Sequence, residues 1–403
     1  MKKFNALIIG QCHLLMMPLP FLLSKSGFAV EAISYDNFLK KSRFLKKHEM
    51  VASDEELLNK LREKNFEDYD FIIPCDDVTL ETIKNSTLPL TKKLQLLPVK
   101  SEKDFVHIFS KIDLSKILQN SGVVTPNFRE ALGLNQAIAA AHDIGYPVMV
   151  KRNSYNAGLG VFECENDPDF EKINPQIFNE AVLIQKKIEG IELDLSAIYR
   201  DGKLLYFTYS EIKKVSQNKF GPSSLRLYSQ LGKCPDDLFL EMQKLGEALG
   251  ANGFVTISCI QSSSDSKRYF FESDMRPNAW VEFGKYFGDY AAPKISAWFN
   301  DAQTLQSKPP INKKFPEQLL MPYFLRLSSS EILLNRHNVW KYLPLRDFFL
   351  TEFLLRNKFL KDFKVFYQDL KKRSRPYRMW LKPFSPKTWR HIQNKFSFAQ
   401  KSV

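Results

Sequence analysis

The sequence predicts a protein of mixed α/β and α+β class, with a small α/β domain, a larger second domain and a basic, mostly helical C-terminal extension. Three observations carry this prediction. Strand and helix signals alternate along residues 1–98, two β-rich runs flank a polar turn within residues 253–280, and aromatic residues interleave with Lys and Arg after residue 315. We therefore predict domains over residues 1–98, 99–305 and 306–403.

The first domain opens with a strand over residues 5–9, a helix ending near Ser26 and a strand over residues 29–34. A secretory signal is the alternative for this segment, but Gln11 and Pro18 interrupt its apolar run. A further apolar run, YDFIIP, ends at Pro74 and predicts a buried parallel strand of a Rossmann-like domain. Asp76 and Asp77 follow at the carboxyl end of that strand, where they are expected either to meet a ligand or to cap a helix.

Composition limits the class of protein. The formal net charge is +13, but residues 310–403 contain 20 Lys and Arg against 6 Asp and Glu, so the charge resides in the extension. The five cysteines lie far apart, without zinc-ligand or disulfide spacing, which favours a reducing cytoplasm. No uninterrupted run of about 20 apolar residues predicts a membrane-spanning helix.

Two segments of the second domain carry candidate ligand contacts. A strand over residues 148–150 ends in Lys151, and a glycine-containing loop over residues 156–160 follows, either as a phosphate-binding flap or as a plain β-turn. Further on, a stretch rich in Ser, Asn and Gly holds four cations. This stretch is predicted to be either a mobile loop that presents the four cations to a substrate or a simple solvated loop. The four cations are Lys213, Lys214, Lys219 and Arg226.

The hairpin over residues 253–280 carries the most informative cluster. Glu272 and Asp274 are spaced i, i+2 on its second strand and so lie on one face, and Arg276 follows on the same face. Carboxylates of this kind bind hard cations such as Mg²⁺, and a guanidinium can bind a phosphate. The alternative is a solvated strand edge with its own salt bridge.

Taken in order over about residues 1–300, these motifs resemble the ATP-grasp fold of carbamoyl-phosphate synthetase, biotin carboxylase and D-alanine–D-alanine ligase. The resemblance implies a nucleotide site, two metal-ligating carboxylates, Glu272 and Asp274, and an arginine, Arg276, that contacts phosphate. The nucleotide residues it implies are Lys111, Lys151, Gly158, Gly160, Gln185, Lys187, Ile188 and Glu192. Lys213 and Arg226, with Arg276, are the expected catalytic side chains, and Asp76, Asp77, Lys214 and Asn278 are expected to contact substrate.

The sequence departs from the family pattern in three places. Ser110 stands where an Asp usually precedes the first lysine, and Asp274 replaces an Asn. Ser258 stands where a further metal ligand is usual, with Gln261 a substitute only if the strand is shifted. The family implies an ATP- and Mg²⁺- (or Mn²⁺-) dependent ligase that activates a carboxylate as an acyl phosphate for attack by an amine or another nucleophile. Because of Ser258, a degenerate nucleotide-binding or scaffold protein is the alternative.

The extension has its own candidate partners. Between residues 345 and 370, aromatic residues and leucines recur at helical spacing among cations. Residues 345–403 are therefore predicted to bind either an anionic membrane surface, at the inner face of the membrane, or a protein partner, with packing on the body of the protein as the plainer alternative. Nucleic-acid binding is disfavoured because no recognised module is present. A homodimer is a further option.

Overall fold

A computed structural model describes residues 4–154, 158, 160–216, 219–300 and 307–373 of the chain. It contains three β-sheets. The N-terminal sheet is wholly parallel, with strand order β3-β2-β1-β4. Its strands are β1 (Phe4–Gly10), β2 (Phe28–Ser34), β3 (Leu45–Met50) and β4 (Phe71–Pro74). The helices of this part are α1 (His13–Met16), α2 (Leu19–Lys25), α3 (Asp54–Glu63), α4 (Asp77–Asn85), α5 (Leu90–Leu96) and α6 (Lys111–Asn120).

The βαβ opening and the buried strand before Asp76 confirm the predicted parallel α/β sheet. Leu7, Ile8 and Ile9 are fully buried because the sheet is covered on both faces, as a parallel sheet requires. Strands β1 and β4 run parallel, and α4 begins just after the carboxyl end of β4. The loop between β4 and α4 therefore lies at the edge of the sheet where ligands bind in folds of this kind.

A small antiparallel sheet follows, with strand order β5-β8-β6-β7. Its strands are β5 (Phe128–Ala131), β6 (Val148–Arg152), β7 (Val161–Cys164) and β8 (Val182–Lys186), and its helices are α7 (Leu134–Ile144) and α8 (Asp167–Glu171). The predicted strand ending at Lys151 is β6. Of the predicted glycine-rich loop, residues 155–157 and 159 lie outside the described residues.

The third sheet is the largest, with six strands in the order β13-β12-β9-β10-β11-β14. They are β9 (Gly190–Arg200), β10 (Lys203–Val215), β11 (Ser223–Ser229), β12 (Gly253–Ser262), β13 (Arg268–Asp274) and β14 (Gln318–Pro322). Helices α9 (Asp236–Ala248) and α10 (Ala291–Asn300) accompany it. The hairpin β12–β13 is the one that the sequence predicts.

The C-terminal extension differs from its prediction in one respect. It contributes an edge strand, β14, which pairs with β11 before the helices α11 (Ser329–Leu333) and α12 (Phe348–Arg373) begin. The long helix is the predicted one, but residues 374–403 lie outside the described part. Among the described residues no helix is long and apolar enough to cross a membrane.

The cationic segment predicted as a loop is also different. Lys213 and Lys214 lie on β10, and Arg226 lies on β11, so three of its four cations belong to paired strands. The polar composition misleads because Ser and Asn are read as loop residues, whereas Ser223, Ser224 and Ser229 are buried in this sheet.

Candidate active site

A cavity of about 560 Å³ brings together many of the predicted site residues. It lies where the carboxyl end of the N-terminal sheet, the start of α6 and one face of the large sheet meet. The sequence-predicted residues that line it are Asp76, Asp77, Lys111, Gly158, Glu192, Arg226, Ser258, Glu272, Asp274, Arg276 and Asn278. These residues come from segments up to about two hundred positions apart, so the fold concentrates charge that the sequence spreads widely.

The acidic wall of the cavity follows from strand register. Ser258 lies directly opposite Glu272, and Thr256 lies opposite Asp274 in the β12–β13 pair. Burial acts to raise the pKa of Asp274; Arg276 opposes this rise, and Asp77 and Glu272 add to it. The register places Gln261 opposite Arg268, away from Glu272, so it does not replace the missing ligand. Among the described residues no group of three or more His, Cys, Asp or Glu side chains is arranged to hold a metal.

Arg276 is bound by two aspartates. Its Nε and Nη2 donate to the two carboxylate oxygens of Asp77 at 2.9 and 2.8 Å, and Nη2 also donates to Asp274 at 2.7 Å. Side chains of Arg276 and Asp77 are only 11% and 9% exposed. Burial acts to lower the arginine pKa, but the two carboxylates outweigh it and raise the pKa. A bidentate contact of this kind fixes the direction of the guanidinium.

The neighbouring Asp76 has a different role. Its side chain caps α4 by accepting from Thr79 N at 2.9 Å, and it also accepts from the backbone N–H groups of Gln11 and Cys12 at 2.6 and 3.0 Å. Capping satisfies a helix N–H that has no partner within the helix. Of the two roles predicted for these aspartates, helix capping is seen at Asp76, whereas Asp77 is bonded to Arg276. Contact of Asp77 with a ligand stays a prediction.

Arg226 is likewise held by an aspartate. Its Nη1 and Nη2 donate to the carboxylate of Asp194 at 2.6 and 2.8 Å, and its guanidinium lies 4.7 Å from the Trp280 ring centroid. Asn278 donates to the same carboxylate at 3.3 Å and to Ser196 at 2.7 Å. Sequence reasoning missed Asp194. The signal was present, because Asp194 stands two residues after Glu192 in an alternating strand and so shares its face.

Glu192 enters the cavity beside these groups. Burial, together with the negative charges of Asp194 and Glu272, raises its pKa to about 7. The cavity thus collects more carboxylate charge than its arginines neutralise. A site of this composition favours a ligand that brings cations or metal ions with it.

Lys151 lies behind the cavity wall rather than on it. Its Nζ donates to Gln185 Oε1 at 2.8 Å and lies 4.5 Å from the centroid of the Phe271 ring. Burial lowers its pKa to about 8, with Glu272 as the strongest opposing influence. Among the described residues, the amide Nε2 of Gln185 is buried without a hydrogen-bond partner. The Gln185 amide therefore has a hydrogen-bond donor to spare, and the Lys151 ammonium has a neutral hydrogen-bond partner instead of a carboxylate.

One residue of the predicted glycine-rich loop, Gly158, lines the cavity. Gly158 has φ +71°, and a Cβ at this position would lie 2.2 Å from the carbonyl oxygen of Phe220. Glycine is thus required here both by backbone conformation and by close contact between the two loops. Gly158 lines the cavity, whereas Gly160 does not.

Several other predicted residues do not line the cavity; one of them is Lys214, whose Nζ is paired with Glu331 at 2.8 Å. Lys187 Nζ is paired with Glu163 at 2.6 Å and with Glu189 at 2.5 Å, which raises its pKa, and its backbone N–H donates to Pro147 O at 3.1 Å. Ile188 follows it without reaching the cavity. Lys213 is paired with Glu211 and its side chain is 40% exposed. Lys213 does not line the cavity, and its catalytic role stays a prediction.

No protein-family model matches the chain. Among curated proteins, multifunctional protein ura1 of Schizosaccharomyces pombe is 25% identical over 194 residues, which are 46% of this chain and 9% of that protein. The D-alanine–D-alanine ligase of Desulforudis audaxviator is 27% identical over 171 residues, which are 39% of this chain and 55% of that protein. The chain therefore spans less than two thirds of the length of either relative.

Solved structures resemble the chain over a larger share of its length. The ADP complex of purK, an N5-carboxyaminoimidazole ribonucleotide synthetase, superposes with a TM-score of 0.63 at 14% identity, covering 83% of this chain and 85% of that one. The biotin carboxylase domain dimer of Hydrogenobacter thermophilus 2-oxoglutarate carboxylase, with MgADP and bicarbonate, gives 0.59 at 15% identity, covering 79% and 74%. These likenesses confirm what the motifs predicted: the chain has the ATP-grasp fold.

Proposed function

We propose that this protein is an ATP- and Mg²⁺-dependent ligase that activates a small-molecule carboxylate as an acyl phosphate for attack by an amine or another nucleophile. The observation that carries the proposal is the single cavity that gathers Lys111, Glu192, Glu272, Asp274 and Arg276. The structural neighbours add support, because one is an ADP complex and another holds MgADP with bicarbonate.

The lysines and Glu192 are assigned to the nucleotide. Lys111 is at the first position of α6, and Lys151 is near enough to the carboxylates and to Lys111 for their charges to influence its pKa. One ammonium group on the cavity wall and a second one behind it suit the phosphates of ATP. Glu192 is assigned to the ribose hydroxyls, and the segment from Gln185 to Ile188 to the adenine, where Lys187 contributes little because its side chain and backbone N–H are both paired.

The donor set fits a hard divalent cation. Glu272 and Asp274 would hold Mg²⁺ or Mn²⁺ with oxygen ligands, and the metal would supply positive charge next to the nucleotide phosphates. Two carboxylates are sufficient when phosphate oxygens complete the coordination. Asp194 does not add a third ligand, because both of its oxygens are already bonded to Arg226.

In the proposed reaction a carboxylate oxygen attacks the γ-phosphorus, the bond to the β–γ bridging oxygen breaks, and ADP leaves. The nucleophile then attacks the acyl carbon, phosphate leaves, and the nucleophile releases its proton to solvent. Arg276 would stabilise the charge on the transferred phosphoryl group. Arg226 is assigned to the carboxylate substrate, with its orientation fixed by Asp194 and Asn278.

A substrate panel tests the proposal. Purified protein with ATP and Mg²⁺ is offered pools of carboxylates and amines, and phosphate release is measured. We expect release only when both co-substrates are present, and ¹⁸O from a labelled carboxylate should appear in the phosphate. Release without ¹⁸O transfer would contradict the acyl phosphate, and Glu272→Gln serves as the inactive control.

A nucleotide-binding protein without ligase turnover is the second candidate. The observation that favours it is Ser258, which lies opposite Glu272 where a further carboxylate ligand would complete the metal site. If it is correct, ATP binds but no panel member releases phosphate. Ser258→Glu should then strengthen Mg²⁺-dependent ATP binding, as measured by calorimetry.

A homodimer remains a prediction. One structural neighbour is described as a domain dimer. Light scattering of the purified protein measures its molar mass directly, and a mass near 46.8 kDa would contradict the dimer.

A further inference from the structure

Residues 333–349 expose an unusual amount of apolar surface. Six large apolar side chains of this stretch are each between 53% and 66% exposed: Leu333, Leu334, Trp340, Leu345, Phe348 and Phe349. They make up a third of the eighteen large apolar side chains that are exposed in the described part of the chain. Apolar surface concentrated in this way marks an interaction site more often than chance exposure does. We call it the 333–349 surface.

The exposed side chains form one region rather than scattered points. Trp340 Nε1 donates to the carbonyl oxygen of Ile332 at 2.7 Å, which fixes the indole next to the end of α11. Trp340, Lys341, Leu345 and Arg346 line the same cavity of about 500 Å³, so they are neighbours. Phe348 and Phe349, whose ring centroids lie 5.9 Å apart, continue the surface at the start of α12.

Cations are interleaved with these apolar groups. Arg336, Lys341 and Arg346 are exposed, and Arg346 lies over the Phe21 ring at 5.5 Å. The one acidic residue within 333–349 is Asp347, which is buried and accepts hydrogen bonds from Ser42 and Arg43. The charge that this surface presents is therefore entirely positive.

This positive charge distinguishes between three possible partners of the apolar surface: another segment of the chain, a second copy of the protein, and a lipid surface. Residues 374–403 contain seven Lys and Arg and no Asp or Glu, so that segment would bring further positive charge to the surface. A second copy of the same face would place its own three cations opposite these three, and the like charges would repel each other. An anionic lipid surface is complementary to both features, because headgroups neutralise the cations while Trp, Leu and Phe enter the interfacial layer.

We propose that the 333–349 surface docks the protein on an anionic membrane surface. The docking is peripheral and involves side chains from a short helix, a loop and the first turn of α12. It is independent of the ligase proposal, since none of the six apolar side chains lines the nucleotide cavity.

Vesicle binding tests the proposal with the full-length protein. Phosphatidylcholine vesicles with and without phosphatidylglycerol are sedimented with wild type and with Leu334→Ser/Phe349→Ser. The matched control is Leu132→Ser/Leu240→Ser, two side chains that are 57% and 62% exposed elsewhere. We expect wild type to bind only the anionic vesicles. The 334/349 variant should lose about tenfold or more in partitioning, and the control less than twofold.

Each other outcome overturns the proposal. Equal binding to both vesicle types would remove the role of the cations, and undiminished binding of the 334/349 variant would move the contact outside this surface. A change from dimer to monomer in lipid-free light scattering of that variant would identify a second copy as the occupant. A far-ultraviolet circular dichroism spectrum and a melting temperature that match those of wild type show that each variant is folded.

Discussion

The candidate site has two cationic ends, Lys151 behind the cavity wall and Arg226 with Arg276 on it, and the surroundings of the cations differ between them. At one end, Lys151 is buried against the neutral amide of Gln185 and its pKa falls to about 8. At the other, Arg226 and Arg276 each form a bidentate contact with an aspartate. A buried cation with a neutral partner gains strongly from an incoming anion, whereas one already paired must share or exchange its partner. In the proposed reaction the lysine end would receive phosphate, whereas each arginine at the other end is already oriented by an aspartate before any ligand binds.

Removing the aspartate partner of Arg276 should cause the largest change, a loss of protein stability. Asp77→Asn leaves Arg276 with Asp274 alone, and loss of one partner from a buried ion pair costs about 3 kcal/mol of unfolding free energy. Urea denaturation measures it. The double variant Asp77→Asn/Arg276→Met should recover part of the loss, because it removes the uncompensated charge. If Asp77→Asn is as stable as wild type, the pair does not hold this end together.

Removing the lysine should affect binding instead of stability. Lys151→Met should lower the affinity for ATP by roughly 10- to 100-fold, which corresponds to the loss of one charge-assisted hydrogen bond. Calorimetry with Mg²⁺ present measures this affinity. Lys187→Met is the matched control, since its ammonium is already paired with Glu163 and Glu189. Equal losses of ATP affinity in both variants would mean that the nucleotide phosphates lie nearer Lys187 than we propose.

The pKa of Lys151 also predicts a pH dependence. A bound phosphate favours the charged lysine and raises its pKa above about 8, so binding takes up a proton above that pH. ATP affinity should therefore fall as pH rises from 8 to 10, by at most about tenfold per unit. Lys151→Arg keeps its charge throughout and should flatten the profile. A profile that is unchanged in this variant would assign the titration to another group.

The smallest effect is expected outside both ends. Lys213→Ala removes an exposed pair with Glu211 and should alter phosphate release by less than about twofold. A loss of turnover comparable to that of Arg276→Ala would restore the catalytic role that the sequence suggested and would require β10 to approach the substrate.

Local patterns predicted the elements of this fold well. Two β-rich runs on either side of a polar turn predicted the β12–β13 hairpin, and an apolar run bounded by turns predicted β4. In contrast, the partnership of Asp77 with Arg276 joins residues 199 positions apart, and no local pattern distinguishes a carboxylate that caps a helix from one that binds an arginine. Arg226 was misplaced because its Ser-rich surroundings resemble a loop, while burial of those serines depends on sheet pairing that only the tertiary structure provides.

The edge strand β14 has a practical consequence for dissecting the chain. Cutting before Gln318 to remove the extension would uncover the N–H and C=O groups of β11 along the length that β14 now pairs. An unpaired sheet edge is a template for strand addition between molecules, and the shortened protein would aggregate. A soluble body therefore has to retain the chain through Pro322, so the extension is in part a cover for the central sheet.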